Sequence, residues 1–144
     1  MKGEDYEKRN AFEVLEIRGN VFLNEGINLI WTAVCGGSYT PFNASNAHIG
    51  VGDSDATESA SQTGLQGTNK YYKAMDLGYP VYGSNQQAVF RATFNENEAN
   101  FAWKEITVAN GNNDTAVNLN RKVQDMGTKS QGSIWVATLT LSIS

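Results

Sequence analysis

Near the end of the chain, Ile134–Ile143 puts Trp135, Ala137, Leu139, Leu141 and Ile143 on one side. Thr138, Thr140 and Ser142 fall on the other, with Ile134 and Val136. A repeat of two is the side-chain period of an extended strand. A strand this long needs a sheet around it, so the rest of the chain must supply one. Ala88–Phe94 repeats the pattern, with Ala88, Phe90, Ala92 and Phe94 on one face and Arg91 and Thr93 on the other. In Asn100–Val108, Ala102, Ile106 and Val108 alternate with Phe101, Trp103 and Thr107. The spacing predicts an antiparallel hairpin of these two segments across Asn95–Glu98. Val117–Val123 alternates again, after the turn-dense Asn110–Asp114.

One segment departs from period two. Ile27, Ile30, Trp31 and Val34 recur at the spacing of a single helical face, which predicts a short helix over about residues 24–35. Asn24 is the expected N-cap, Glu25 lies in the first turn, and Gly36 suits the left-handed position past the end. The apolar face is expected to lie against a sheet, with Trp31 in the core and Cys35 as a small buried hydrophobe.

Composition agrees with a β-rich protein: only 18% of residues are charged, and there are fourteen glycines. At 144 residues the chain is expected to be one domain, 19–144, preceded by an N-terminal arm, 1–18. Residues 1–11 are rich in charge of both signs and cannot build a core. Phe12, Val14, Leu15 and Ile17 then provide apolar side chains. They form either a first strand after a frayed tail or an arm that docks on a neighbouring subunit, with Tyr6 as an additional contact. The whole is expected to be mainly β, an antiparallel sandwich or barrel-like domain with one helix.

Net charge is −4, and Lys and Arg occur singly or in pairs. A nucleic-acid backbone or an anionic membrane demands concentrated positive charge, so neither is an expected partner. No secretory leader or membrane-spanning run is visible. The chain is expected to be made in a cytoplasm.

Catalytic and metal chemistry finds few residues to use. The single histidine, His48, sits in a short apolar strand and is expected to be structural. With one His and one Cys, a zinc site of the familiar ligand types is excluded within one chain. Asp53, Asp55 and Glu58 faintly resemble a calcium loop, but the glycine and glutamate that an EF-hand places at six and twelve are missing. The stretch Gly52–Gly67 is therefore expected to be a solvated loop that buries nothing, exposed or bridging subunits. Glu96, Glu98 and Glu105 lie near Trp103 in the sequence, a set of residue types that would also suit a sugar-binding face or a carboxylate pair for glycoside hydrolysis. The strand period of Trp103 argues for a core role instead. Neither enzyme activity nor a cofactor is expected.

Several phrases together resemble a family of small virion proteins of tailed bacteriophages. They are Gly19-Asn20 with the helix Ile27–Val34, FNASNAHIGVGDSDATESASQTGLQG (42–67), YYKAMDLGYP (71–80), VFRATFNENEANFAW (89–103), VNLNRKV (117–123) and the MGTKS…IWVATLTLS ending. Within that group the chain is similar to trimeric auxiliary, or decoration, proteins on the mature capsids of long-tailed phages of thermophilic bacteria. The resemblance implies a β-rich homotrimer on the outer capsid surface, bound to the major capsid protein, with terminal arms clasping neighbours and no turnover. Two further readings are a tail, baseplate or fibre component and a lectin-like module for glycans.

Overall fold

The computed structural model describes residues 12–17 and 21–143. Among these residues nine strands and one helix follow in the order β1 (Phe12–Ile17), β2 (Val21–Phe22), α1 (Asn24–Val34), β3 (His48–Gly52), β4 (Lys70–Ala74), β5 (Val81–Ser84), β6 (Gln87–Phe94), β7 (Glu105–Ala109), β8 (Asn120–Val123) and β9 (Ile134–Ser142). They make two sheets. One has the order β1-β9-β6-β5, the other β2-β8-β7-β3-β4. All pairings are antiparallel except that of β1, which runs parallel to β9 with Phe12 opposite Ile134 and Ile17 opposite Leu139.

The alternating faces are where the sequence places them. Phe90, Ala92 and Phe94 of β6 and Trp135, Ala137, Leu139 and Leu141 of β9 are buried. They share one core with Ile49 and Val51 of β3 and Ile106 and Val108 of β7. Ile143, past the end of β9, is 59% exposed and does not join them. β5 and β6 are joined at Asn85 and Gln86, both left-handed (φ 60° and 53°), the conformation whose twist matches that of a tight hairpin.

The expected hairpin of Ala88–Phe94 with Asn100–Val108 is not formed. β6 pairs with β9 and β5, whereas β7 lies in the other sheet between β3 and β8. The intervening residues cross from sheet to sheet instead of turning back. The crossing is built around two side chains. Lys129, 1% exposed, donates to the Asn95 carbonyl (2.7 Å) and Asn100 Oδ1 (2.9 Å). Trp103, fully buried, donates its indole N–H to the Ala99 carbonyl (2.9 Å). Its ring meets Phe94 and Trp135 edge-on at 4.8 and 4.9 Å, a favoured aromatic geometry.

Helix α1 begins at Asn24, but Leu23 occupies the N-cap position and makes no side-chain capping bond. Its C-terminal end follows the sequence. Gly36 is left-handed (φ 84°), Gly36 N–H donates to Ala33 O, and Gly37 N–H donates to Thr32 O, which is a Schellman closure. The first turn docks the helix. Gly26 lies so close to β8's approach that a Cβ there would stand 2.5 Å from the Leu119 carbonyl oxygen. Glu25 accepts from the Asn118 N–H at 2.6 Å. The last turn rises away from the sheets.

Candidate functional site

Two regions stand out: the polar stretch after β3, and the far side of α1. The first is ordered by charge. Along β3, Ile49 and Val51 face the core, so Gly50 and Gly52 face outward, opposite Thr107 and Glu105 of β7. A Cβ on Gly52 would stand 2.2 Å from the Glu105 carboxylate, and one on Gly67 would stand 2.8 Å from it. Both glycines are therefore required for Glu105 to lie flat across β3 beneath the loop. There it is completely buried and paired with the equally buried Arg121 of β8 (Nε to Oε1, 2.8 Å).

The loop closes over this pair. Glu105 also accepts from the N–H groups of Gln66 (2.8 Å), Gly67 (2.7 Å) and Ser54 (3.3 Å). Arg121 donates onward to the Ala56 carbonyl (2.9 Å) and Gln62 Oε1 (3.1 Å). Leu65 is buried, 5% exposed. The expectation of a solvated loop that buries nothing is thus corrected. A buried ion pair survives when its remaining hydrogen-bonding capacity is satisfied, and the loop backbone supplies those partners.

The carboxylates that faintly resemble a calcium loop are engaged separately. Asp53 accepts from the Thr68 and Asn69 backbone and from the Asn69 side chain, Glu58 accepts from the Val123 N–H, and Asp55 is exposed. Among the described residues no three His, Cys, Asp or Glu side chains gather as metal ligands. His48 is half-buried in β3, with Nδ1 2.8 Å from the Asn46 carbonyl. The residues on which a sugar face or carboxylate pair would draw are dispersed. Trp103 is in the core, Glu105 is in the ion pair, and Glu98 is bound to Lys73 at 2.8 and 2.9 Å.

Three carboxyls titrate below their ordinary values: Glu98, Asp53 and Asp114, the last in the turn after β7, where it accepts from Lys70 and Tyr72. Burial pushes Glu98 up, but hydrogen bonds from Lys73 and the Asn95 N–H outweigh it. Burial likewise opposes, and Lys70 and Tyr72 then overcome, the shift at Asp114. At Asp53 the Asn69 side chain leads, against desolvation, with the Asn69 and Thr68 N–H groups assisting. A carboxyl lowered by folding stabilises the fold above its unfolded pKa, and that contribution is lost as pH falls through the folded value. The thermal midpoint is therefore expected to fall between about pH 5 and pH 2. Glu98→Gln is expected to flatten that fall, and equal slopes for both proteins would refute the assignment.

The second region corrects the expectation for the helix. Trp31 is 61% exposed, Val34 69% and Ile27 38%, and Cys35 is exposed as well. Only Ile30 and the buried Gly26 reach inward. The periodicity locates an apolar face correctly, but among the described residues no strand covers it. Between this face and the end of β9 lies a groove of about 440 Å³, lined by Phe22, Ile27, Ile30, Trp31, Val34 and Ile143 together with Ser142.

Among the proposed docking residues, Phe12, Val14, Leu15 and Ile17 lie along the β1 edge of their sheet; Tyr6 lies outside the described residues. Sequence reasoning missed Arg121 and the partnership of Glu105, which nothing in their local pattern signals. No family model, curated protein or solved structure matches the chain.

Proposed function

We propose that this chain is a structural subunit of a tailed-phage virion. It would be a capsid decoration protein that binds as a homotrimer to the major capsid protein on the outer surface of the expanded head. The single observation that carries an assembly role is the uncovered apolar face of α1, with Trp31 at its centre. A soluble chain that leaves a tryptophan, a valine and two isoleucines together at its surface is suited to be part of something larger. The kind of assembly comes from the sequence resemblance over residues 19–143.

The finer architecture belongs to the same reading. The two sheets form a sandwich around the shared core; of the expected arm, residues 1–18, Phe12–Ile17 lie in the molecule's own sheet as β1, and the segment ahead of it, residues 1–11, is the part that clasps a neighbour. The action is mechanical, with no turnover. Docking buries surface available only in the expanded lattice and stabilises that state by linkage. Three linked sites turn weak single contacts into lasting attachment.

Mixing the purified protein with expanded empty capsids tests this. Saturable binding at a fixed copy ratio, with a higher capsid melting temperature, is the expected result; no binding would sink the decoration reading. Labelling of tails instead of heads would move the protein to the tail, baseplate or fibre. Deletion of residues 1–11 leaves β1 in place. It is expected to preserve the circular dichroism spectrum while weakening capsid binding at least ~10-fold through lost avidity. Undiminished binding would remove the arm from the mechanism.

A further inference from the structure

We infer that the face formed by the last turns of α1 and the end of β9 is the surface through which copies of this chain join one another. The inference rests on the proposed reading of the chain as an assembly subunit. It goes further in naming the surface and its occupant, a second copy of this chain whose Trp31 enters the groove of its neighbour around a closed ring.

Charge argues for a second copy. Among the described residues none that lines the groove is charged, while the chain as a whole carries −4. Two copies carry the same net negative charge, and like charges brought together at a contact are costly. They can meet at low electrostatic cost on this face, and an identical copy brings an identical uncharged face to it.

Area argues the same way. A tryptophan side chain covers up to ~250 Å², so Trp31 at 61% exposure presents roughly 150 Å². With Val34, Ile143 and Ile27 the face reaches the few hundred Å² typical of functional patches on monomers. That is the scale of the apolar centre of an interface burying ~800 Å² per partner, leaving a polar rim to complete it. Trp31 projects beside the groove, so each copy offers both a knob and a place for one. Closed symmetric assemblies reuse one surface in this manner.

The double variant Trp31→Asp/Val34→Asp, studied by sedimentation over a range of concentrations, tests the inference. The wild type is expected to be an oligomer, and the variant a monomer with association weakened roughly 100-fold or more. Its far-UV spectrum and thermal midpoint should match those of the dissociated wild type, because neither side chain packs in the core. Ile143→Asp, across the same groove, is expected to act alike and serves if the helix variant fails to fold. Trp103 and Trp135 are buried, so acrylamide quenching reports on Trp31, which should be shielded in the oligomer and accessible after dilution.

A double variant of wild-type mass, or a wild type monomeric at every concentration, would overturn the inference. Capsid binding separates the two proposals. An oligomer that ignores capsids defeats decoration and leaves this interface standing. A monomer that binds them does the reverse.

Discussion

Arg121→Met is expected to lower the thermal midpoint by roughly 10–20 °C, the equivalent of about 3–5 kcal/mol in a domain of this size. The loss comes from stranding the Glu105 carboxylate. It is wholly buried, and its three backbone donors, Ser54, Gln66 and Gly67, carry no formal charge. The Ala56 carbonyl and Gln62 Oε1 also lose their donor. Glu105→Gln/Arg121→Met removes the buried charge but keeps an acceptor for the loop. It is expected to recover about 2 kcal/mol relative to Arg121→Met alone. Additivity of the two single variants in a double-mutant cycle would show that the pair does not act as a unit. A midpoint unchanged by Arg121→Met would refute the proposed role of charge in this part of the fold.

Trp103→Ala is the other change of comparable size, at about 3–5 kcal/mol in urea unfolding. The ring fills the space where Asn95–Lys104 crosses between sheets and contacts Phe94 and Trp135 at once. Truncation opens a cavity bounded by both sheets and deprives the Ala99 carbonyl of its indole donor. Trp103→Phe refills part of the space but not the hydrogen bond, and should cost about 1–2 kcal/mol. If Trp103→Phe proves as damaging as Trp103→Ala, the hydrogen bond outweighs the packing, contrary to expectation.

Both residues mark the limits of what the sequence reveals. The core faces of β6 and β9 were legible because each strand repeats its apolar side chains at a period of two, over enough residues to fix the face. The closure of α1 at Gly36 was legible for a similar local reason, since few residues besides glycine adopt that backbone. Trp103 was correctly placed in the core, yet for an incomplete reason. It lies outside any strand, and its burial comes from the sheet-to-sheet crossing that replaced the expected hairpin. Periodicity likewise found the apolar side of α1 but could not say what covers it, so Trp31 and Cys35 were placed inside. The pairing of Glu105 with Arg121 left no local trace. Glu105 precedes the apolar run of an alternating strand, Arg121 falls in phase with Val117, Leu119 and Val123, and only the fold brings them together.

The two glycines that make room for Glu105 have a consequence for how the molecule opens. Because Gly52 and Gly67 let Glu105 rest on β3, the amides of Ser54, Gln66 and Gly67 are tied to a carboxylate rooted in β7, at the middle of its sheet. Lifting the loop on its own would expose a buried ion pair and abandon these bonds together. The loop therefore has little freedom to unfold locally and shares the cooperativity of the central strands. A stretch with few apolar side chains then behaves, in its fluctuations, as part of the core.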